Sequence, residues 1–539
     1  MLSAAIPCSN DLPYPSQRQL VFGREMVATS QPLAAQAGLE MLRQGGSAAD
    51  AAVATAAVLT VTEPTTNGIG GDAFAIIWDG SKLHGVNGSG RSPALLSRDH
   101  FSGTKIAADG WLSVTVPGQV ALWADINKQF GRLPFAALLA PAIEYARSGY
   151  QVAPLTAQMW KRTADVYAKR AHADAWRATF LKNGAAPSAG ELMVLPDHAR
   201  TLEAIAQTNG RAMYEGELAA AIDAAARAEG GHLRADDLTA HKTGFSPTIS
   251  VPYRGYRLHE IAPNGQGIAA LIALGILESR TVENLSADCP DVIHLAIEAI
   301  KLGFADAHAH VADPANMRIT TAELLDPARL LALAKRIDLA QAQDFNSGIP
   351  RPGGTVYLCA ADSRGMMVSL IQSNYTGFGS GVVIRDTGIA MQSRGACFNL
   401  EAGHPNCVGP SKLPYHTIIP GFITRSTAQG DEPAMAFGVM GGFMQPQGHV
   451  QVVTRMVDFA QNPQAALDAP RWQWMQGKAV KLEPGFSDAT IAELRQRGHE
   501  ITIADARTVT FGRGQAIMRM KDGLMGASDL RADGLVAAR

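Results

Sequence analysis

A threonine that directly follows two glycines is the residue of this chain best placed to do chemistry. Gly353 and Gly354 precede Thr355, and Val356 and Tyr357 continue the chain with residue types that favour strands. Glycines allow strained backbone conformations, so the Gly354–Thr355 bond is open to attack by the threonine hydroxyl. Hydrolysis of the resulting ester would leave Thr355 as a new amino terminus, whose amine, with an ordinary pKa of about 8, could act as base for its own hydroxyl. The same run also fits a loop that ends at an ordinary strand.

Two further positions could bind or stabilise negative charge. Arg91 follows the glycine-rich turn 87–90 at a strand end, where its planar fork can face a carboxylate, although a solvated surface arginine is the plainer interpretation. Gly441 and Gly442 connect a strand to a helix predicted over 448–461, and paired glycines there can aim backbone N–H groups at an anionic oxygen. Alternatively, the two glycines form a tight turn.

Two sequence patterns suggest a metal site and a dinucleotide site, but the predicted secondary structure around each does not fit such a site. His308 and His310 are two residues apart on a predicted helix and point away from each other, so no metal site is expected there. Gly68, Gly70 and Ala73 match the dinucleotide fingerprint, but that motif needs a strand before it and a helix after it, and the order here is reversed. We expect these glycines to let the backbone pass close to the core or to a small ligand.

The elements that must position Thr355 form a predicted hairpin. Its strands cover 355–361 and 366–372, and the turn 362–365 connects them. The polar stretch 341–352 suits an exposed loop that a cut could leave mobile. Between 111 and about 336 the pattern is mostly helical and is typical of a scaffold.

The composition is that of an ordinary globular protein. The 539 residues are 47% apolar and 18% charged with a net charge near −2, so nothing points to nucleic acid, and no apolar run reaches membrane-spanning length. Residues 1–19 hold no continuous apolar segment, which argues against a signal peptide and favours a cytoplasmic protein. The five cysteines form no C-x-x-C pair, which agrees with a reducing compartment.

Taken together, the motifs resemble those of the γ-glutamyltranspeptidase family of N-terminal nucleophile hydrolases. The resemblance covers nearly the whole chain, and its motifs are specific in combination rather than singly. They are GGSAADAAV at 45–53, NGIGG at 67–71, GT at 354–355 and GG at 441–442. Because they occur in this order, Thr355 becomes a strong candidate nucleophile rather than the start of an ordinary strand.

The resemblance implies an α+β fold, a four-layer αββα sandwich, built from a precursor that cuts itself before the nucleophilic threonine. The chain would be a single domain over 1–539, cut into a large subunit, 1–354, and a small subunit, 355–539. The family's chemistry needs no metal or organic cofactor. Pairs of subunits could assemble further into a dimer of heterodimers.

The resemblance also implies roles by position. Thr355 would be the nucleophile, and its freed amine would be the general base. Gly441 and Gly442 match the family's oxyanion-hole pair. Arg91 falls where the family binds the substrate's carboxylate, and Asn374 falls where it has an asparagine beside the scissile amide.

Two departures from the family pattern concern the substrate. The γ-glutamyl enzymes hold the substrate's α-amino group with an acidic residue just before a phenylalanine, and here Cys397 stands in that place. A paired serine motif that helps bind the glutamyl carboxylate is replaced by His416 and Thr417, which would then contact substrate, although His416 could equally be a structural histidine beside Tyr415. The site is therefore expected to keep a carboxylate anchor and to lose the ammonium anchor.

We therefore expect an amidohydrolase that acts on a small anionic amide without an α-amino group. The chain most resembles the branch of the family that includes oxamate amidohydrolase and glutaryl-type acylases, and oxamate, hydrolysed to oxalate and ammonia through an acyl-enzyme, is the favoured substrate. γ-Glutamyl transfer or glutathione hydrolysis, and glutaryl-type acylase activity, are the alternatives. An uncut chain that binds a small anion is the alternative from a different class.

Overall fold

Two seven-stranded antiparallel sheets lie face to face, and helices cover their outer faces. The computed structural model describes residues 6–9, 11–15, 18–170, 173–346 and 353–539. This architecture confirms the expected four-layer αββα sandwich. The predicted loop 341–352 is seen as far as residue 346, and the rest of it lies outside the described residues.

Helices and strands follow one another in runs along the described chain. The α-helices are α1 Pro32–Arg43, α2 Ala48–Thr62, α3 Gln119–Phe130, α4 Phe135–Ser148, α5 Pro154–Tyr167, α6 Asp174–Phe180, α7 Pro196–Gln207, α8 Glu217–Ala228, α9 Ala235–Thr239, α10 Ile268–Glu278, α11 Pro290–His310, α12 Thr321–Leu324, α13 Pro327–Ala334, α14 Met444–Val457, α15 Pro463–Asp468 and α16 Asp488–Gln496. The strands are β1 Val21–Gly23, β2 Met26–Thr29, β3 Asp72–Trp78, β4 Leu83–Gly88, β5 Tyr150–Gln151, β6 Leu192–Met193, β7 Gly244–Ser246, β8 Ile249–Tyr253, β9 Tyr256–Glu260, β10 Gly354–Ala361, β11 Met367–Tyr375, β12 Val383–Ile384, β13 Ile389–Ala390, β14 Gly421–Thr427, β15 Gly430–Met440, β16 Trp472–Gln476, β17 Ala479–Leu482, β18 Glu500–Ile503, β19 Arg513–Met520, β20 Gly523–Ser528 and β21 Leu535–Ala538.

Both large sheets take strands from each side of the Gly354–Thr355 bond. The first sheet has the order β1-β20-β19-β15-β14-β9-β8, and the second has the order β21-β2-β10-β11-β3-β4-β7. Strand β10 begins at Gly354 and lies inside the second sheet, hydrogen-bonded to β2 on one side and to β11 on the other. The bond that is predicted to break is therefore at the start of a strand that the rest of the sheet holds in place.

The side chains of β10 alternate between two cores. Val356 and Leu358 join the core beneath the helices that cover the second sheet, whereas Tyr357 and Cys359 join the core between the two sheets. Because successive side chains of a strand point to opposite faces, Thr355 shares the face of Tyr357. The nucleophile candidate therefore lies on the side of its sheet that faces the other sheet.

The hairpin around Thr355 is confirmed, and the helix after the glycine pair begins earlier than predicted. Strand β11 extends three residues beyond its expected end, to Tyr375, and α14 covers Met444–Val457 instead of 448–461. Pro446 lies in the first turn of α14, where a proline is tolerated because the N–H groups of that turn have no intrahelical partner. The helix consequently starts two residues after Gly442. Within the described residues, none of the helices combines the length and the apolar character needed to cross a bilayer.

Candidate active site

Thr355 lies at an irregularity in its hairpin. Between the paired residues Gly354–Tyr375 and Val356–Gln372, two residues of β11 stand opposite Thr355 alone. Such a bulge bends the strand and redirects a side chain, and bulges are common beside active sites. Thr355 is 1% exposed, so the candidate nucleophile is buried in the uncut chain.

Ser373, in the bulge, links the hydroxyl of Thr355 to the carbonyl of the bond before it. Thr355 Oγ1 donates to Ser373 Oγ at 3.3 Å, and Ser373 Oγ donates to the carbonyl oxygen of Gly354 at 2.5 Å. The backbone N–H of Tyr375 donates to the same serine oxygen at 2.7 Å. A serine has a single proton to give, and here Gly354 receives it. The Gly354 carbonyl is thereby polarised, and the proton of the Thr355 hydroxyl faces an acceptor.

A buried ion pair holds the other side of the threonine. Arg513 Nη2 donates to the carbonyl oxygen of Thr355 at 3.1 Å, and Arg513 Nη1 lies 2.6 Å from Glu63 Oε1. Glu63 also accepts hydrogen bonds from the hydroxyls of Ser30 at 2.5 Å and Thr66 at 3.2 Å. Because the guanidinium and the carboxylate are almost fully buried and hydrogen-bonded, they fix the backbone position of Thr355.

Gly441 and Gly442, which precede α14, lie beside the residues that come just before Thr355. Their φ angles of +138° at Gly441 and +59° at Gly442 lie in a region that side-chain-bearing residues rarely adopt. A Cβ atom placed on Gly353 would lie 3.3 Å from Gly442 Cα. Gln266 Nε2 donates to the carbonyl oxygens of Gly442 at 2.9 Å and of Thr417 at 2.5 Å. A buried amide therefore fixes the backbone of this turn beside the residues that precede Thr355.

Asn374 packs against the glycine-rich turn 67–71. A Cβ atom on Gly68 would come within 2.9 Å of Asn374 Nδ2, and one on Gly71 within 2.7 Å of Asn374 Oδ1. The glycines of this turn thus allow the close approach that their sequence suggested. The sequence pointed to Asn374 as the residue beside the scissile amide. That role of Asn374 stays a prediction, and the structure adds the hydroxyl of Ser373, which the bulge in β11 brings to the Gly354 carbonyl.

A buried carboxylate, Asp72, organises a second group of candidate residues. Asp72 Oδ2 lies 2.6 Å from His416 Nε2 and accepts a hydrogen bond from Arg394 Nε at 3.2 Å. Arg394 Nη1 donates to Thr417 Oγ1 at 2.8 Å. None of these four side chains is more than 1% exposed.

The imidazole of His416 is neutral in this group. Its Nδ1 accepts from the backbone N–H of Ile418 at 3.4 Å, which leaves the ring proton on Nε2 for the bond to Asp72. Burial, helped by the positive charge of Arg394, lowers the pKa of His416 to about 4. Both ring nitrogens are used within the protein, so His416 supports Asp72, and Thr417 uses its hydroxyl to accept from Arg394.

Cys397 lies next to a positive charge. It ends the short 3₁₀ segment Arg394–Cys397, and its Sγ is 3.9 Å from Arg394 Nη1. The same guanidinium lies 4.8 Å from the ring centroid of Tyr375, two residues beyond Ser373. The position at which the family pattern has an acid therefore holds a thiol and an adjacent guanidinium.

Arg91 is more exposed than the other candidates. Its side chain is 51% exposed and its Nη1 lies 2.6 Å from Asp313 Oδ2 and 2.9 Å from the carbonyl oxygen of Ser411. It lines a cleft of about 480 Å³ together with Asp237, Lys242 and other residues. In this structure, Arg91 has a carboxylate of the protein as its partner.

Among the described residues, one buried group of side chains has the composition of a metal site. His294, Glu298 and His499 bring their ligand atoms within 4.8 Å of one another. The Lys301 ammonium lies 2.6 Å from the Glu298 carboxylate, and His294 Nδ1 lies 2.8 Å from His499 Nε2. The carboxylate charge is therefore already balanced, and the group forms a hydrogen-bonded cluster.

Sequence reasoning missed several of the residues that build the site. They are Ser373, Arg513, Glu63, Asp72 and Arg394. Arg394 and Asp72 are 322 positions apart, and no local pattern joins them. Ser373 directly follows the predicted end of the hairpin at 372, and the change of register at the bulge could not be read from the sequence.

The sandwich of two sheets, with a buried threonine at the start of a central strand, defines an N-terminal nucleophile hydrolase. The family model for gamma-glutamyltranspeptidase matches residues 34–539, so the chain belongs to the γ-glutamyltranspeptidase family. Members of this family hydrolyse amide C–N bonds and are made as proenzymes that cut themselves, and the expected enzyme class is thereby confirmed.

Similar proteins of this family differ in the substrates that their names state. The chain is 35% identical over 529 residues to the glutathione hydrolase-like YwrD proenzyme of Bacillus subtilis (strain 168). The aligned region covers 96% of this chain and 99% of that protein. It is 35% identical over 527 residues to the oxamate amidohydrolase proenzyme of Klebsiella pneumoniae, with 95% and 98% covered. The crystal structure of a cephalosporin acylase from Bacillus halodurans matches with a TM-score of 0.92 at 48% identity, over 98% of this chain and 99% of that one.

Proposed function

We propose that the chain cuts itself between Gly354 and Thr355 and then hydrolyses a small carboxylate-bearing amide, with oxamate as the favoured substrate. The observation that carries the proposal is the bridge that Ser373 makes between the Thr355 hydroxyl and the Gly354 carbonyl. The cut would produce a large subunit, 1–354, and a small subunit, 355–539, which together form one domain.

The first step converts the peptide bond into an ester. Thr355 Oγ1 attacks the Gly354 carbonyl carbon, and the proton that Oγ1 loses is relayed through Ser373 to the nitrogen of Thr355 as the C–N bond breaks. Ser373 stabilises the negative charge on the Gly354 oxygen. Water then hydrolyses the ester and yields the carboxylate of Gly354 and a free Thr355 with its amine and hydroxyl.

The second reaction uses the freed amine as base. The amine takes the proton of Thr355 Oγ1, which attacks the carbonyl carbon of the amide, and the protonated amine then gives its proton to the leaving ammonia. The backbone N–H groups of Gly441 and Gly442 would stabilise the anionic oxygen, and the loss of one such donor typically costs about 3 kcal/mol of barrier. Water attacks the acyl ester in the same way and releases oxalate.

The residues around the site support an acyl group that lacks an α-ammonium. Cys397 replaces the family's acidic residue, and the guanidinium of Arg394 lies beside it. Arg91 is assigned to the substrate carboxylate, which would take the place of Asp313 or share the guanidinium with it. The Klebsiella pneumoniae relative is named for oxamate, which has a carboxylate and no ammonium.

Release of ammonia from oxamate, compared with release of p-nitroaniline from γ-glutamyl-p-nitroanilide, tests the substrate. Wild-type protein should act on oxamate in preference, and Thr355→Ala should neither cut itself nor act on either substrate. Preference for the γ-glutamyl anilide would replace the proposal by γ-glutamyl transfer or hydrolysis. Glutaryl-p-nitroanilide belongs in the same series, because the structure matched at 48% identity is named a cephalosporin acylase.

The carboxylate role of Arg91 is tested separately from the cut. Arg91→Ala should leave self-cleavage intact and lower turnover of oxamate by at least 100-fold, whereas Arg227→Ala, at an exposed helical ion pair, should alter neither. Unchanged turnover in Arg91→Ala would remove the case for this anchor. A single band near 57 kDa that persists on a denaturing gel would instead favour an uncut anion-binding protein.

A further inference from the structure

The site contains a buried arginine that neither the cleavage step nor the turnover cycle uses. Arg394 is fully buried, and its guanidinium makes polar contacts with Asp72, Thr417 and Cys397. Among the described residues, its Nη2 has no hydrogen-bond partner. An arginine is always protonated at physiological pH, so a full positive charge is held here in a low-dielectric environment.

This guanidinium touches the site from two directions. On one side it lies 4.8 Å from the ring centroid of Tyr375. The backbone N–H of Tyr375 donates to Ser373 Oγ, which in turn donates to the Gly354 carbonyl. On the other side it donates to Thr417, whose carbonyl oxygen shares the Gln266 amide with Gly442. Short chains of contacts therefore connect Arg394 both to the nucleophile and to the glycine turn.

The nitrogens of the Arg394 guanidinium have different partners. Its one carboxylate contact among the described ion pairs, Asp72 Oδ2, is at Nε and is shared with His416. Its Nη1 instead donates to the Thr417 hydroxyl at 2.8 Å and lies 3.9 Å from the Cys397 sulfur, so on this side the guanidinium contacts a hydroxyl and a sulfur rather than a carboxylate. The positive end of the Arg394–Asp72 pair is thus turned toward the positions where related enzymes hold an α-amino group.

We infer that Arg394 is a specificity-determining residue, which disfavours acyl groups that carry an α-ammonium and favours those in which that place is empty or anionic. This inference rests on the proposed function, in that it concerns the acyl group bound beside Thr355. Loss of the acid at Cys397 removes an attraction for the ammonium. Arg394 adds a repulsion, and a site that discriminates well often contains both elements.

Glutarate and L-glutamate make a matched pair of probes, because they differ by the α-ammonium alone. Calorimetry with purified wild-type protein should give a Kd for glutarate at least tenfold lower than that for L-glutamate. Arg394→Gln should bring the two values within threefold, and Arg394→Lys should keep most of the difference because it keeps the charge. Equal affinities in the wild type, or no binding of either acid, would overturn the inference.

A second variant keeps the test usable if Arg394→Gln fails to fold. In Cys397→Asp the new carboxylate would pair with Arg394, whose Nη1 is 3.9 Å from the present sulfur, so the affinity for L-glutamate should change by less than threefold. Cys397→Asp alone serves if Arg394→Gln does not fold. Where Arg394→Gln does fold, the double variant Arg394→Gln/Cys397→Asp leaves the carboxylate free, and binding of L-glutamate should tighten at least tenfold. A tenfold gain from Cys397→Asp alone would contradict the role given to Arg394.

Binding separates this inference from the proposed reaction. If oxamate and glutaryl-p-nitroanilide are not hydrolysed while the ratio of the two affinities behaves as stated, the proposed turnover fails and the role of Arg394 stands. If oxamate is hydrolysed while glutarate and L-glutamate bind equally, the reaction stands and the role of Arg394 fails. The denaturing-gel pattern and thermal midpoint of each variant show whether the protein is folded and cut, and a purely structural role would lower these without changing the ratio.

Discussion

The hydroxyl of Ser373 donates a 2.5 Å hydrogen bond to the carbonyl oxygen of Gly354, the acyl group of the bond that is proposed to break. The same oxygen atom of Ser373 accepts from Thr355 Oγ1, so one side chain touches both partners of the first reaction. This arrangement exists before any cut, and it makes the rate of self-cleavage the most direct experimental test of the site.

Ser373→Ala should slow self-cleavage about 10- to 100-fold, because the Gly354 oxygen loses a donor worth about 1–3 kcal/mol in a buried site. The conversion of the 57.0 kDa chain into fragments of about two-thirds and one-third is followed on denaturing gels. Ser373→Thr retains the hydroxyl and should restore most of the rate. A normal rate in Ser373→Ala would show that the hydrogen bond is not used in the reaction.

Glu63→Gln should lower the free energy of unfolding by about 3 kcal/mol, because it leaves the buried guanidinium of Arg513 without its counter-charge. Denaturant unfolding in a Thr355→Ala background keeps the chain in one piece during the measurement. Asp223→Asn, which removes the acid of the exposed Arg227–Asp223 pair, is the matched control and should change stability by less than about 0.5 kcal/mol. Similar effects of the two substitutions would argue against the buried pair as a support of Thr355.

Stability should fall as the pH falls from about 6.5 to about 4. Burial lowers the pKa of His198 and of His416 to about 4, so in this range the unfolded chain binds protons that the native protein does not. Above about pH 6.5 these two histidines cost the native protein no stability. Below it, each lowers the free energy of unfolding by at most about 1.4 kcal/mol per pH unit. Denaturant midpoints measured at several pH values check this, and His198→Asn should reduce the slope. A flat profile would contradict the assignment of these histidines as neutral in the native state.

Turnover should rise with pH up to about 8, because the amine freed by the cut must be unprotonated to act as base. Below that value kcat/KM should fall about tenfold per pH unit. The decline begins at a higher pH than the loss of stability, so the two effects can be distinguished on the same protein. A rate that is independent of pH between 6 and 8 would indicate a different base.

The local features of this fold are predictable from the sequence, and the long-range ones are not. The hairpin after Thr355 follows from glycines, a turn and runs of strand-forming residues that are adjacent in sequence, and the structure confirms it. The sequence pattern puts the start of α14 four residues late, because Pro446 suggests a position before the helix rather than in its first turn. The choice of Thr355 as the candidate nucleophile does not follow from these neighbouring residues, which also fit an ordinary loop and strand; it depends on the order of the family motifs along the chain.

The supports of Thr355 come from distant parts of the chain. The sequence contains 47 basic Lys and Arg residues and 49 acidic ones, and nothing local shows that Arg513 pairs with Glu63 or Arg394 with Asp72. Which charged residues pair depends on which of them are buried close together, and this is set only when the two sheets stack. The identity of the residue facing Thr355 depends on one bulge, and a single extra residue in a strand decides whether Ser373 or Asn374 is presented.

Each of the two large sheets contains strands from both sides of the Gly354–Thr355 bond, and this affects the lifetime of the cut protein. Strand β10 would begin with the new amino terminus while hydrogen-bonded to β2 of the other polypeptide, and β11 would remain paired with β3 of that same polypeptide. Separation of the two products therefore requires both sheets to come apart, which amounts to global unfolding. Dilution should not dissociate them, their ratio is fixed at one to one by their common origin, and a molecule that unfolds after the cut must find its partner by diffusion before it can work again.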